Sequence, residues 1–363
     1  MSLLTIVLWI SGALTLLSLL LLIATILLRM LTDRRFAGDA SFRQIAKPLI
    51  RSFLADGADI ATVASTLRKD PRAGMQLLME ESESLGTGGR DKLRPLLSAL
   101  PYGNNEIRHL KDRRWERRLR AAEVLGYLGD DTSLPSLMSA LRDDLMDVRF
   151  AAAESLARLG CQQAVEPILR SLDVGGDVSQ RRVAEIILIL DANATDPILA
   201  ILQNSSSTEN ALGIAARVAG SLRVHRAIDP LLKLLRHTSQ NVRLNAVRSL
   251  ASIASTASQS DHGVITAVAS LGEDSSWEVR CVVMKSLGQL RATHEIPLLL
   301  QGLSDPQWWV RHNAADALYS LGEPGITALR DSVEGHVDGY GRDVSREILQ
   351  QHGILKPSFD QRP

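Results

Sequence analysis

An arginine-centred pattern recurs about every 31 residues through the C-terminal two thirds of the chain. Eight stretches of similar sequence place their reference residue at positions 118, 149, 181, 212, 243, 280, 311 and 342. The intervals between them are 31, 32, 31, 31, 37, 31 and 31 residues. The reference residue is arginine in every copy except Leu212. A period of this length predicts one helical unit copied along the chain, and not a single compact core.

Each copy has the pattern of a pair of helices. In one of them, Ala314, Leu318 and Leu321 follow Arg311 by three, seven and ten positions, which forms an apolar stripe at the helical period. Glycine at plus eleven suits the end of this helix. Proline fourteen residues before the arginine marks the start of a first helix in three copies, at Pro135, Pro167 and Pro297. Aromatic residues are only 4% of the chain, which also favours helices over strands.

Acidic residues keep the same register as the arginines. An aspartate lies six residues before the reference arginine at Asp112, Asp143, Asp274 and Asp305. These side chains are expected to cap the second helices. Each can also pair with an arginine of a neighbouring unit, which would form a ladder along the array. The sequence therefore predicts structural roles for these aspartates and for the arginines of the strong copies, which are Arg118, Arg149, Arg243, Arg280 and Arg311.

The motif "D…VRxxAAxxLxxLG" resembles the bacterial HEAT repeats of the phycobilisome-lyase type. The resemblance covers 101–353 and implies a right-handed α-solenoid of about eight helical hairpins, with a long surface for a protein partner. Some relatives of this type attach or detach tetrapyrroles. The stretch "VRHNAADAL" also resembles deoxyhypusine hydroxylase, a HEAT-type enzyme that binds two irons through four His-Glu pairs. Here His312 is followed by Asn313, and the sequence has a single His-Glu pair, His294-Glu295.

The N-terminus differs from the rest of the chain. Residues 3–28 contain no charged side chain, and a helix of that length exceeds the roughly 30 Å of a hydrocarbon core. Arg29, Arg34 and Arg35 follow this stretch. The positive-inside rule then predicts an uncleaved anchor over 1–31 in the inner membrane of a bacterium, single-pass, with the C-terminal solenoid in the cytoplasm. We expect the bilayer to be contacted through 3–28.

Residues 32–100 are expected to form a helical juxtamembrane or capping region, and 354–363 a short tail. The segment 42–54 has the pattern of a strongly amphipathic helix. It would lie on the bilayer surface or, as we favour, pack into a small helical domain. The glycines of "GTGG" (Gly86 to Gly89) predict a loop between two helices of this region.

Charge gives no global preference for nucleic acid, because 41 basic and 41 acidic residues cancel. The densest basic segment is 108–120, where Arg113, Arg117 and Arg120 share one helical face. Arg117 occupies a position that is valine in four other copies. This segment would be a solvated end of the array or a contact for an anionic partner. Tryptophans at 115, 277 and 308 share a register and indicate packing, so Trp309 is the better candidate for a partner contact.

The sequence alone favours a membrane-anchored, non-catalytic scaffold or adaptor that binds a membrane-associated protein along its repeat surface. It shows no catalytic set, and no cofactor, metal, nucleic acid or small-molecule substrate is expected. The alternative is a HEAT-type lyase or a hydroxylase-like enzyme. The sequence disfavours that alternative, because no convergent set of His, Glu or Cys residues recurs across the units.

Overall fold

A computed structural model describes residues 41–55, 57–100, 102–129, 131–172, 177–255 and 262–356. The chain divides into two compact units, Met1–Ser133 and Leu134–Pro363. Every regular element in the described residues is helical. The all-α fold class is therefore confirmed.

Five helices form the first unit. They are α1 (41–54), α2 (Ile60–Leu67), α3 (Pro71–Ser98), α4 (Tyr102–His109) and α5 (Trp115–Leu128). The apolar face of α1 packs into their shared core, where Ile50, Leu67 and Leu77 are fully buried. The Arg43 guanidinium donates two hydrogen bonds to the Glu80 carboxylate, at 3.1 and 2.8 Å. Of the two alternatives for the amphipathic segment, packing into a helical domain is the one the structure shows.

The prediction of a loop at Gly86 to Gly89 is wrong. Helix α3 runs without interruption for 28 residues, through these glycines and past Pro95. Asp70 caps its start by accepting a hydrogen bond from the Ala73 N–H at 3.0 Å. Buried residues on both sides of the glycines, Leu77 and Leu93, hold the helix against the core. Tertiary packing here outweighs the roughly 1 kcal/mol by which each glycine disfavours a helix.

Helical hairpins make up the second unit. Its described helices are α6 (Leu134–Ala140), α7 (Met146–Arg158), α8 (Val165–Ser171), α9 (Asp177–Leu188), α10 (Thr195–Gln203), α11 (Glu209–Ser221), α12 (Ile228–Leu234), α13 (Gln240–Ala254), α14 (His262–Ala269), α15 (Trp277–Gln289), α16 (Ile296–Gly302), α17 (Trp308–Ser320), α18 (Glu323–Gly335) and α19 (Gly339–Gln351). The odd-numbered helices carry the reference residues and pack on one another in sequence, from α7 to α19. The even-numbered helices form the second layer. This arrangement is solenoid-like, as the repeat predicts.

The apolar stripe of each repeat is buried between neighbouring helices. Residues three positions after the reference residue are at most 2% exposed throughout the second unit: Ala152, Ala184, Ala215, Ala246, Val283, Ala314 and Ser345. Small residues allow close helix approach. The Ser249 hydroxyl of α13 donates to the Ala216 carbonyl of α11 at 2.7 Å, and a Cβ on Gly220 would lie 2.8 Å from the Ser249 Cα. Close packing of this kind sets the spacing of the array.

From Arg243 to Arg311, arginine and aspartate link successive turns in a relay of hydrogen bonds. The Arg243 Nε and Nη2 donate to both carboxylate oxygens of Asp274 at 2.7 Å, and Arg280 binds Asp305 the same way at 2.7 and 3.0 Å. The third nitrogen, Nη1, donates to the carbonyl six residues upstream: from Arg280 to Asp274 at 2.8 Å, and from Arg311 to Asp305 at 2.7 Å. Each of these aspartates therefore joins two guanidinium groups, one through its side chain and one through its backbone.

Hydrogen bonding determines the charge state of the relay. Burial alone would raise the pKa of Asp274 and of Asp305. The arginine donors and the backbone N–H groups of Ser276 and Gln307 outweigh burial, and both carboxyl pKa values are lowered. The pKa of Arg243 and of Arg280 is raised, chiefly by the hydrogen bond to the partner carboxylate. Both partners are therefore charged at neutral pH.

The aspartates do not cap the helices as predicted. The residue two positions after each aspartate has an extended backbone conformation. The N–H of that residue donates a hydrogen bond to the aspartate carboxylate. These bonds run from Arg114 to Asp112, Leu145 to Asp143, Ser276 to Asp274 and Gln307 to Asp305, at 2.8–3.0 Å. The second helices begin one residue later still, at Trp115, Met146, Trp277 and Trp308. The aspartates thus stabilise the turn, and Asp274 and Asp305 also bind an arginine through both carboxylate oxygens.

In five copies the second helix ends at a residue with left-handed backbone conformation, whether or not that residue is glycine. Gly160, Gly322 and Gly353, at plus eleven, have φ of 73°, 76° and 72°. Arg223 and Arg291 stand at the same register with φ of 53° and 52°. The turn is therefore imposed by the repeat, because these arginines adopt a conformation that costs a residue with a Cβ roughly 1–2 kcal/mol.

The predicted membrane anchor, 1–31, lies outside the described residues. Within the residues that the structure does describe, no helix is both long enough and apolar enough to cross a bilayer. The predictions of a transmembrane helix, of lipid contact through 3–28 and of a single-pass inner-membrane location therefore have no support in the residues that the structure describes.

Asp274→Ala removes the acceptor of two Arg243 N–H groups. The two side chains are 13% and 9% exposed, so we expect the free energy of unfolding to fall by about 2 kcal/mol. Asp196→Ala is the matched control, because its pair with Arg226 is 79% and 73% exposed. The control is expected to cost less than about 1 kcal/mol. Urea titrations followed by circular dichroism measure both, and equal losses would contradict a structural role for the relay.

Acidification should remove the contribution of the relay. A carboxyl whose pKa is lowered by folding stabilises the fold fully above its unfolded pKa, about 3.9, and loses that contribution as pH falls through the folded value. The difference in the free energy of unfolding between the wild type and Asp305→Asn is therefore expected to be largest at about pH 7. It should shrink below about pH 4. Urea midpoints over a pH series measure this difference; a constant difference down to the lowest pH would refute it.

Candidate functional site

A basic cleft in the first unit contains two of the predicted contact residues. The cleft has a volume of about 620 Å³ and lies between the start of α3, helix α4 and the first turns of α5. Arg117 and Arg120 line it, together with Arg72, Arg108 and His109. Its size is within the roughly 300–1,000 Å³ of small-molecule sites.

The cleft carries an excess of positive charge. Four arginines and one histidine line it, and Glu106 is the one acidic residue among its described lining residues. Glu106 lies 3.2 Å from the His109 Nδ1, and Arg117 is paired with Asp112 at 2.8 Å. In the described part of the chain, no carboxylate pairs with Arg72, Arg108 or Arg120. Three guanidinium groups are thus available for an anionic ligand.

Asp112 positions Arg117 at the rim of the cleft. Its carboxylate accepts a backbone hydrogen bond from Arg114 at 2.9 Å and a side-chain bond from Arg117 at 2.8 Å. These two bonds, in that order, lower the pKa of the Asp112 carboxyl. Arg117 takes the position of Val148, Val242, Val279 and Val310, which are fully buried in other copies, and its own side chain is 57% exposed. This copy thus replaces a packing residue by a solvent-facing cation.

The floor of the cleft is apolar. Tyr102 is 6% exposed, and its hydroxyl donates to the Leu67 carbonyl at 3.0 Å. Burial raises the pKa of Tyr102 to about 12, with the Asp70 charge adding to the effect, so the phenol is neutral. Met75, 9% exposed, and Pro71 complete the floor. An apolar floor with a cationic rim suits a ligand that has a flat hydrophobic body and anionic substituents.

The other predicted contacts lie elsewhere. Arg113 belongs to the turn before α5 and is not among the cleft residues. Trp309 lies in the second unit, at the start of α17, and is 56% exposed. It packs edge-on against Trp308, with ring centroids 4.7 Å apart, and Trp308 stacks on His312 at 4.8 Å. Trp115 and Trp308, predicted to pack, are 42% and 44% exposed.

Sequence reasoning missed Arg72, Arg108, Met75 and Tyr102 as cleft residues. They come from α3 and α4, outside the strong repeat motif, and they meet α5 only through packing in three dimensions. The one sequence signal for them was the density of cations in 108–120, which includes Arg108.

The repeats match an established family model. The model for HEAT repeats aligns with residues 107–188, 195–261 and 265–350, which is more than half of the chain. The chain belongs to the HEAT-repeat family. Among the relatives, it is 27% identical to the bilin biosynthesis protein MpeU of Synechococcus sp. (strain WH8020), over 76% of this chain and 95% of the relative. Its repeats are of the phycobilisome-lyase type, as the sequence motif indicates.

The chain is also similar to deoxyhypusine hydroxylases. The chain is 27% identical to deoxyhypusine hydroxylase-B of Oryza sativa subsp. japonica, over 65% of this chain and 73% of the relative. It is 32% identical to deoxyhypusine hydroxylase of Aspergillus oryzae, over 64% of this chain and 60% of the relative. Among solved structures, the chain is similar to the CpcE–CpcF complex of phycocyanin lyase from Nostoc sp. PCC7120, with 16% identity and a TM-score of 0.31, over 70% of this chain and 94% of that chain.

These relatives correct the functional prediction. The bilin biosynthesis protein and the hydroxylases contradict both the non-catalytic, membrane-anchored scaffold and the expectation that the protein is not an enzyme. They favour the alternative, a HEAT-type lyase or hydroxylase. The expectation of a protein partner is consistent with the repeat family, whereas the expected bilayer contact has no support.

The residues do not fit the two-iron site of the hydroxylases. The described part of the chain has no group of three or more His, Cys, Asp or Glu residues arranged to hold a metal ion. In the one His-Glu pair of the sequence, His294 packs edge-on against His262, with ring centroids 5.2 Å apart. A two-iron site of that kind needs four such pairs, and the sequence supplies only this one.

Gly74→Ala should disturb the floor of the cleft. A Cβ at Gly74 would lie 2.9 Å from both the Leu67 carbonyl oxygen and the Tyr102 hydroxyl, so α3 or Tyr102 has to shift. We expect destabilisation of about 1–3 kcal/mol. Gly103→Ala in α4 is the control, because its nearest neighbour is 3.9 Å away and alanine favours helix. Urea unfolding compares the two; equal stability of both variants would show that the floor accommodates the extra carbon.

Proposed function

We propose that this protein is a bilin-lyase-type enzyme, which binds an open-chain tetrapyrrole and acts together with the protein that carries the chromophore. The observation that carries the proposal is the alignment with the bilin biosynthesis protein MpeU, which spans 95% of that relative. The hydroxylases are matched at similar identity, but their ligand set is not present in this sequence. The lyase alternative is therefore the better supported of the two.

The basic cleft is the proposed chromophore site. A bilin has a flat, apolar conjugated body and two propionate carboxylates. Arg72, Arg108 and Arg120 would hold the carboxylates by charge-assisted hydrogen bonds, while Met75 and Tyr102 contact the pyrrole rings. This assignment replaces the expectation, based on sequence alone, of no small-molecule substrate.

The protein partner would bind along the repeats. We propose a capping region at 32–100, a right-handed solenoid of about eight hairpins at 101–353 and a tail at 354–363. In this arrangement, the solenoid offers the acceptor protein a long surface. The exposed Trp309 is a contact proposed on this surface.

Titration with biliverdin tests the proposal. The full chain is expected to give a saturable change in the visible absorption of biliverdin. The triple variant Arg72→Ala/Arg108→Ala/Arg120→Ala should bind at least about tenfold more weakly, because each lost charge-assisted bond is worth roughly 1.5–3 kcal/mol. Arg346→Ala, an exposed arginine paired with Asp343 outside the cleft, should bind as the wild type does.

A transfer assay separates binding from enzyme action. Phycocyanobilin and apo-phycocyanin are incubated with the protein, and covalent colour is read on a denaturing gel. Faster attachment or removal than in the protein-free control supports the lyase assignment. No absorption change with biliverdin, together with no effect on the covalent product, would overturn it.

A further inference from the structure

A second cleft lies where the arginine–aspartate relay is interrupted. It has a volume of about 560 Å³ and lies in the second unit, against α6, α7 and α8. Arg142, Arg149 and Arg170 line it, and none of its described lining residues is acidic. Arg170 is paired with Glu166 at 2.7 Å, but both of these side chains are largely exposed. The cleft is thus an electropositive site separate from the proposed chromophore site.

Arg149 is the reference arginine of this copy and corresponds to Arg243 and Arg280 of the relay. Its Nη1 donates to the Asp143 carbonyl at 2.7 Å, which is the bond that Arg280 and Arg311 make to Asp274 and Asp305. The guanidinium is therefore anchored in its turn in the same way. What differs is the opposite edge, formed by Nε and Nη2, which in Arg243 and Arg280 holds a carboxylate.

Within the described part of the chain, this edge of Arg149 has no carboxylate partner. The residue six positions before the next reference arginine, Arg181, is glycine in the sequence, where the copies at 280 and 311 have aspartate. Among the described residues, nothing accepts a hydrogen bond from the buried Nε of Arg149. The acceptor that these residues offer to its Nη2 is the Met146 sulfur, at 3.3 Å. A thioether is a weak acceptor, so the charged edge is poorly satisfied.

We propose that this cleft binds an organic carboxylate, which takes the place of the missing aspartate on the Nε and Nη2 of Arg149. The two oxygens of an alkyl carboxylate match the fork geometry seen twice in the relay. The flexible Met146 side chain would turn aside to admit them. Arg142 adds positive charge at the rim, and Pro135 and Met138 contact the alkyl chain.

The inference goes beyond the proposed function, because it does not require the ligand to be a tetrapyrrole. A small free acid and the propionate of a bilin present the same group to Arg149. The repeat itself supplies the chemical argument, since two other copies satisfy the equivalent arginine with a carboxylate from the chain.

Methionine methyl resonances locate the ligand directly. The chain has seven methionines, and the Met146 and Met138 resonances are assigned by Met→Leu substitution of each in ¹³C-methyl-labelled full-length protein. Succinate is expected to shift the Met146 and Met138 methyl signals with saturation. Sodium chloride at the same ionic strength is expected not to. Shifts that do not saturate, or that chloride reproduces, would overturn the proposal.

Arg149→Lys tests the fork geometry while keeping the charge. Lysine is a point charge without the Nε–Nη2 edge, so succinate affinity should fall at least about tenfold. Arg142→Lys in the same cleft is the matched control and should change affinity less than about threefold, since Arg142 supplies only charge. Circular dichroism checks that both variants fold. If Arg149→Lys is unfolded, saturable shifts of Met146 in the wild type still decide the matter.

Biliverdin and its dimethyl ester identify the source of the carboxylate. If biliverdin shifts Met146 and the ester does not, the ligand group is a bilin propionate. If succinate alone shifts Met146, the site takes a small free acid, and the cleft stands apart from the chromophore. Failure of every carboxylate at Met146 overturns this inference and leaves the biliverdin titration of the first cleft unaffected.

Discussion

The bidentate contact between one turn's arginine and the next turn's aspartate is the interaction that joins α13, α15 and α17 in the second unit. Arg280 shows why: two of its nitrogens hold Asp305, and the third holds the carbonyl of Asp274. One side chain thus ties its own turn and the following turn together. Because the charges are shielded from water on most sides, breaking one contact leaves a poorly satisfied partner. The buried alanine stripe sets the distance between helices, and from α13 to α17 the relay sets how each turn is placed on the next.

Functional candidates arise where a copy departs from this pattern. At the first copy, a buried valine is replaced by Arg117, whose side chain is 57% exposed at the rim of a basic cleft. At the second copy, the relay aspartate that would satisfy Arg149 is replaced by glycine, and an electropositive cleft lies beside it. A repeat protein satisfies its own polar groups wherever the consensus holds. Ligand binding is therefore most favourable at the copies that depart from the consensus, where a polar group of the chain lacks a partner.

The repeat and its core were predictable because burial follows register. Ala246, Leu250 and Ala314 could be placed inside from their spacing to the arginine alone, and all are 0% exposed. Other features depend on tertiary contacts, which the spacing of residues in the sequence does not predict. The glycines from Gly86 to Gly89 predict a loop, but α3 continues through them because residues on both sides pack against the core. The basic cleft needs Arg72 and Tyr102, which are far from α5 in sequence and meet it only in the folded unit.

The relay also indicates where the array can open locally. Helices α13, α15 and α17 are joined through Arg243, Asp274, Arg280, Asp305 and Arg311. Their amides should therefore exchange with solvent only in a concerted opening. The turn at Arg149 lacks the relay aspartate that would join it in this way to the helix that follows. The copies at 212 and 243 also lack it, with Ser206 and His237 at that register, so the hydrogen-exchange boundary of this cooperative segment is expected before α13.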